Sequence, residues 1–259
     1  MRLLASQYRA EHRPSQDPGV DPGPVNVSMA AAASIIFLHG SGDTGTGFRS
    51  YLEQVWSGSL LKRALAANVS LHFPTATPRP YKLAGNQVMN VWFDRHGLEP
   101  QAPEHTESIE ESCREIETLI DGIIASGIPA DKIALGGFSM GGGLAMQCML
   151  RTKHRLGACF ALSSFMCAQA AIYSRPKDVV LASASPIFMR HGAADGFILP
   201  SWGSETAEKL AAVGIEVDFG LVPHLQHALE DDEIASLTDW LWVKLRLDAS
   251  CASPSVDVN

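Results

Sequence analysis

Gly137-Phe138-Ser139-Met140-Gly141 stands between two apolar runs, residues 133–135 before it and 144–150 after it. The first run has the length of a buried strand, and the second continues as a buried helix. A serine at the apex of a strand–turn–helix is lifted clear of the sheet edge, where its hydroxyl reaches a carbonyl carbon. The flanking glycines let strand and helix approach without side-chain clash. G-x-S-x-G is short enough to arise by chance in a glycine-rich chain, so the strand–turn–helix context carries the weight. That context makes Ser139 a candidate nucleophile.

Outward from this turn the chain alternates. Residues 34–38 form an apolar strand, followed by a glycine-rich loop and a helix near 49–66. A strand at 69–73 is stopped by Pro74, and residues 74–106 form a long irregular stretch. Ser108 and Glu111 have capping-box spacing, and Ile109, Cys113, Ile116, Leu119, Ile120, Ile123 and Ile124 then share one helical face. Gly127 and Pro129 close that helix. Strands follow at 157–162, 186–190 and 216–221, with helices at 201–213 and 232–247. Strands alternating with helices predict an α/β fold, a mostly parallel central sheet with helices on both faces. No internal repeat or boundary divides it, and the chain is too short for a separate lid domain.

Length and composition agree. A domain within these 259 residues buries about three quarters of its unfolded surface and needs no disulfide or metal to hold it. The net charge of −8 argues against nucleic acid and anionic membrane surfaces as partners. Five cysteines without a C-x-x-C pair favour a reducing compartment over a disulfide framework or a zinc site. The longest uncharged run, 133–150, is broken by glycines and polar residues and reads as strand plus helix rather than as a membrane span. Residues 1–28 are expected to be a disordered, polar, proline-rich extension; a mitochondrial transit peptide is disfavoured by Glu11, Asp17, Asp21 and the prolines. The folded domain is expected over 29–248, with a polar tail at 249–259.

A serine hydroxyl is a weak nucleophile at neutral pH. It needs a histidine to take its proton and a carboxylate to hold that imidazole in the right tautomer. In this fold class such residues sit at the carboxyl ends of strands. Asp195 lies just past the 186–190 strand, and His224 and His227 both lie just past the 216–221 strand. The resulting chain order of Ser, Asp and His is that of an α/β-hydrolase. Two backbone N–H donors for an oxyanion are expected from Met140, next after the serine, and from Ser41 in the loop after the first strand. His72, His105 and His191 are expected to be structural. Gly40-Ser-Gly-Asp-Thr-Gly45 also fits a dinucleotide fingerprint, but the next strand ends without the acid that would hold the ribose.

Phe37-Leu-His-Gly40, Trp92-Phe-Asp94, Gly136-Gly-Phe-Ser-Met-Gly-Gly142, Ala161-Leu-Ser163 and His191-Gly with Asp195 resemble motifs of the acyl-protein thioesterase and lysophospholipase family of small α/β-hydrolases. Val91-Trp-Phe-Asp-Arg95, Pro103-Glu-His-Thr-Glu-Ser-Ile109, Ala161-Leu-Ser-Ser-Phe165 and Ser201-Trp202 are similar to its lysophospholipase-like branch. The resemblance runs from about Ile35 to Leu245. It implies Ser139 as nucleophile, Asp195 as orienting acid and His227 as base, because His227-Ala-Leu229 matches the family's histidine motif. It further implies a cytosolic serine hydrolase acting on acyl thioesters and esters, S-acylated proteins included, without cofactor or metal. Met140 stands where the classical thioesterases usually carry glutamine, a departure that bears on substrate contacts more than on hydrolysis. Tyr81, Met89, Trp92 and Phe93, in the 74–106 stretch, are the candidates for a wall over the acyl site, with plain core packing by Trp92 and Phe93 as the competing expectation. The competing expectations are a carboxylesterase confined to short or small-molecule esters and a catalytically silent binding module.

Overall fold

The computed structural model describes residues 31–55, 59–175 and 184–247, so the expected extension (1–28) and tail (249–259) lie wholly outside the described residues. Six strands form one sheet: β1 (Ala33–Leu38), β2 (Val69–His72), β5 (Ile133–Phe138), β6 (Ala158–Leu162), β7 (Ile187–Gly192) and β8 (Val217–Val222). Their order is β2-β1-β5-β6-β7-β8, and every neighbouring pair is parallel. The central strands are apolar on both sides because both faces are covered. In β1, Ile36 and Leu38 enter one core while Ala33, Ile35 and Phe37 enter the other. In β6, Cys159 and Ala161 alternate in the same way with Ala158, Phe160 and Leu162.

Among the described residues, six helices divide between the two faces. α3 (Thr106–Ala125), α4 (Met140–Met149) and α5 (Pro200–Ala212) cover the first core, through Ile116, Leu144 and Leu210 among others. α1 (Gly45–Val55), α2 (Ser59–Ala66) and α6 (Asp231–Lys244) cover the second, with Phe48, Leu60 and Leu237. The chain runs from β1 outward to β2, then returns to the other side of β1 with β5. The loops leaving β1 and β5 therefore diverge at a switch point, where open α/β sheets form their crevice.

Three local expectations differ from what is observed. The helix expected near 49–66 is two helices, α1 and α2, with residues 56–58 outside the described residues. The stretch 74–106 contains an antiparallel hairpin, β3 (Pro78–Tyr81) with β4 (Gln87–Asn90), turned by a 3₁₀ segment at Lys82–Ala84 and by Gly85 and Asn86 at φ 65 and 64°. Pro78 and Pro80 hide the strand from a reading by pattern, yet an isolated two-stranded ribbon tolerates prolines that a central strand would not. Finally, α3 starts at Thr106 with His105 at its cap, so Ser108 and Glu111 form no capping box. Ser108 instead turns inward and accepts the main-chain N–H of Asp94 at 3.0 Å, tying α3 to the segment after the hairpin.

Candidate active site

Ser139 joins β5 to α4 with φ 54° and ψ −120°, a left-handed conformation that a side chain adopts only when its surroundings compel it. The flanking glycines supply the room. A Cβ on Gly137 would lie 2.5 Å from the Leu38 carbonyl oxygen, and one on Gly141 would lie 2.3 Å from the same atom. The turn is pinned by the Ser139 N–H to the Leu162 carbonyl at 2.9 Å and by the Ser164 hydroxyl donating to the Ser139 carbonyl at 2.6 Å. α4 is buried throughout its length, and its N-terminus carries the partial positive charge of the helix toward Ser139.

The loops after β7 and β8 are stitched together by Ala193 N–H to the Val222 carbonyl (2.8 Å) and Ala194 N–H to the Leu225 carbonyl (3.0 Å). Gly192 permits this approach, since a Cβ there would meet the Leu225 oxygen at 2.3 Å. Asp195, 2% exposed, is held at Oδ1 by the N–H groups of Phe197 and Ile198, both at 2.9 Å. Its Oδ2 lies 2.7 Å from His227 Nδ1, and His227 Nε2 lies 3.0 Å from Ser139 Oγ. Of the two histidines after β8, His227 thus faces the serine; His224, at φ 62°, is exposed in the turn.

His191 is buried, donates from Nε2 to the Ile198 carbonyl at 2.8 Å, and has that nitrogen 3.4 Å from Asp195 Oδ2. Burial lowers its pKa and keeps the ring neutral, so it buttresses the Asp195 loop without adding charge. His72 and His105 bond to Ser34 and Ser108.

The loop after β1 is fixed by a histidine and a tryptophan. His39 donates from Nδ1 to the Gly40 carbonyl at 2.7 Å and accepts the Ala76 N–H at Nε2, 3.0 Å away. Those two bonds specify one neutral tautomer, and burial pushes the pKa down accordingly. The Trp92 indole N–H bonds the His39 carbonyl at 2.9 Å, and the Gly42 N–H bonds the Asn90 carbonyl at 2.9 Å. Ser41 is held beside the elbow, its hydroxyl 3.6 Å from Met140 Sδ. Met140 opens α4, where an N–H has no partner within the helix. The glycines of the nucleotide-like motif serve packing: Gly42 sits at φ 80°, and a Cβ on Gly45 would lie 1.8 Å from the Phe73 oxygen.

A cavity of about 770 Å³ opens over Ser139, lined by Ser41, Met140 and His227 and by apolar side chains that include Leu83, Leu98, Phe138, Phe165 and Phe197. Of the four wall candidates only Tyr81 lines it. Trp92 and Phe93 are buried in the first core, and Met89 packs at its edge, so these three are corrected from lining to supporting residues. Among the lining residues that pattern reading missed, Phe165, Phe197 and Arg95 follow the ends of three different strands or hairpin arms. Their placement after strand ends was the available signal. Glu117, Asp121 and His154 are spaced like metal ligands away from the cavity, but Lys153 already pairs with Asp121 at 2.8 Å.

A family model described as Phospholipase/Carboxylesterase matches residues 25–244. Lysophospholipase-like protein 1 of Mus musculus is 36% identical over 216 residues, covering 83% of this chain and 87% of that protein. Acyl-protein thioesterase 1 of Debaryomyces hansenii is 30% identical over 215 residues, 82% of this chain and 90% of that one. The crystal structure of Arabidopsis thaliana SOBER1 superposes with a TM-score of 0.72 at 27% identity, over 82% of this chain and 99% of that chain.

Proposed function

The chain belongs to the phospholipase/carboxylesterase family of α/β-hydrolases, a serine hydrolase of the acyl-protein thioesterase and lysophospholipase type, and from that premise we propose that it cleaves acyl thioesters and esters through Ser139, His227 and Asp195. The observation that carries this reading is the unbroken run from Ser139 Oγ to His227 Nε2 (3.0 Å) and from His227 Nδ1 to Asp195 Oδ2 (2.7 Å), set in an apolar cavity.

Ser139 Oγ attacks the acyl carbon as its proton passes to His227 Nε2, and Asp195 stabilises the imidazolium. The N–H groups of Ser41 and Met140 receive the developing oxyanion. Collapse breaks the C–O or C–S bond, and the proton on Nε2 goes to the leaving oxygen or sulfur. Water then attacks the acyl-Ser139 ester by the same proton route, releasing the acid and restoring the hydroxyl. A thiolate, with a parent pKa near about 8.5, leaves with less help from His227 than an alkoxide needs, so one triad serves both bonds.

Substrates are S-acylated proteins or small acyl esters. The described cysteines are free thiols, three of them buried, which favours a reducing compartment such as the cytosol. Among the described residues no helix is long and apolar enough to cross a membrane.

The test is kcat/KM for matched thioesters and oxygen esters of increasing acyl length, with Ser139→Ala as the blank. Ser139-dependent turnover is the expected result, and a peak on long-chain thioesters would favour S-acylated proteins as substrates. Turnover confined to short chains would favour a small-ester carboxylesterase, and no difference from the blank would overturn the hydrolytic reading.

A further inference from the structure

The cavity wall carries one cationic side chain that the hydrolytic steps leave unused. Arg95 lines the cavity with Ser139 although only 7% of it is exposed. Its guanidinium lies 4.8 Å from the ring centres of both Phe93 and Phe165, so two aromatic faces hold it. Among the described residues no carboxylate stands within ion-pair distance of it. The neighbouring acids are engaged elsewhere. Asp94 Oδ1 accepts the N–H groups of Lys82 and Arg95, and its Oδ2 lies 3.3 Å from Lys82 Nζ. Glu104 is bonded by Gln147 Nε2 and by the Ala171 N–H. Burial lowers the Arg95 pKa, yet a guanidinium stays charged in proteins. The Glu104 charge favours the charged form of Arg95 without touching it. A cation in an apolar wall with no carboxylate in contact is still costly, and a bound anion lowers that cost.

We propose that Arg95 is the recognition element of an acyl subsite, and that the enzyme takes esters or thioesters whose acyl arm ends in a carboxylate. The proposal rests on the hydrolytic reading above and adds the substrate class. The acyl arm is assigned from the proton route. His227 must hand its proton to the leaving atom, so the leaving arm lies on the side of His227, walled by Phe138 and Phe197 with ring centres 4.9 and 5.1 Å from the imidazole. Arg95 belongs to a different wall, with Phe165 and with Tyr81, whose hydroxyl feels both Arg95 and Ser41. An acyl chain leaving the oxyanion donors along Tyr81 would bring its far end to the guanidinium, whose planar fork matches a carboxylate in two parallel bonds.

The experiment compares 4-nitrophenyl monoesters of adipic, pimelic and suberic acid with the hexanoate, heptanoate and octanoate of matching length, corrected for spontaneous hydrolysis. At one length or more the carboxylate ester is expected to exceed its neutral twin in kcat/KM by about tenfold or more. Arg95→Met should bring that ratio to one or below, and Arg95→Lys should restore part of it. A wild-type ratio at or below one at every length overturns the proposal whether or not the variants fold. A wild-type preference that survives in Arg95→Met overturns it equally, as does an anion preference found only in the alcohol arm, with butyryl glycerol phosphate favoured over monobutyrin. Ser139-dependent hydrolysis of the neutral esters without any anionic preference would sink this inference alone. Loss of all Ser139-dependent turnover would remove the hydrolytic reading and this inference with it.

Discussion

Asp195 shows how much of the proposed chemistry would depend on single atoms. Its two carboxylate oxygens do different work: Oδ1 accepts two main-chain N–H groups, and Oδ2 faces His227 Nδ1. Asp195→Asn would keep a carbonyl oxygen on the two N–H donors, which leaves its amide NH₂ pointing at Nδ1. The imidazole would then carry its proton on Nε2, where it cannot accept the serine proton. The fold should survive, while kcat on a neutral ester should drop by about 10⁴, with fluorophosphonate labelling of Ser139 slowed in parallel. A drop of less than about tenfold would mean that Asp195 does not set the tautomer. Ser139 and Asp195 were legible from pattern because each follows a strand. The choice between His224 and His227 was not legible from spacing, since both follow β8. It is made by a turn at φ 62°, which faces His224 outward and His227 toward the serine.

Between the residues and the molecule stands the β3–β4 hairpin with the segment behind it. This element buries Trp92 under the loop after β1 and bonds that loop through the Trp92 indole and the Asn90 carbonyl. The aromatic content of 74–106 suggested a substrate wall, and Tyr81 fits that reading. Trp92 and Phe93 do not, because pattern cannot separate an aromatic that faces a cavity from one that props a loop from behind. Pro78 and Pro80 concealed the strand itself. If the Ser41 N–H receives the oxyanion as proposed, Trp92 positions it through the His39 carbonyl, and Trp92→Phe tests this by keeping an aromatic ring and removing the donor. We expect kcat to fall roughly tenfold with KM nearly unchanged, well short of the 10²–10³ that follows outright loss of an oxyanion donor. Stability should fall by roughly 2–4 kcal/mol, from the unpaired His39 carbonyl and the volume lost when a fully buried indole becomes a phenyl ring. The same stability loss with unchanged kcat would leave Trp92 a core residue and nothing more.

At the scale of the whole molecule, period-two alternation in β1, β5 and β6 anticipates a sheet covered on both faces, and the switch point between β1 and β5 places the cavity. Pattern could not anticipate a buried acid in the last helix. Glu233 sits in the first turn of α6, 3% exposed, with neither carboxylate oxygen in hydrogen-bonding geometry with a donor. Burial, helped by the Glu230 charge, pushes the Glu233 pKa up from 4.5 to about 8, outweighing the nearby Glu230 main-chain N–H and the helix N-terminus, which favour an anion. In the unfolded chain Glu233 gives up its proton at its ordinary value, whereas the folded protein keeps the proton until about pH 8. Within that window the unfolded state binds fewer protons, so the slope of stability with pH is negative. The contribution is full below pH 4.5 and is lost as pH rises to about 8. Glu233→Gln keeps the shape and cannot ionise, so its difference from wild type isolates this one group from all others that titrate. Urea unfolding of both proteins should show the two stabilities close together at low pH. The variant should become progressively the more stable as pH rises through the window, a gap that grows because only the wild type must ionise a buried carboxyl or hold a proton that its unfolded chain releases. Parallel curves across the window would mean that Glu233 is charged in the folded protein, with water or a shifted main chain supplying the donors it otherwise lacks.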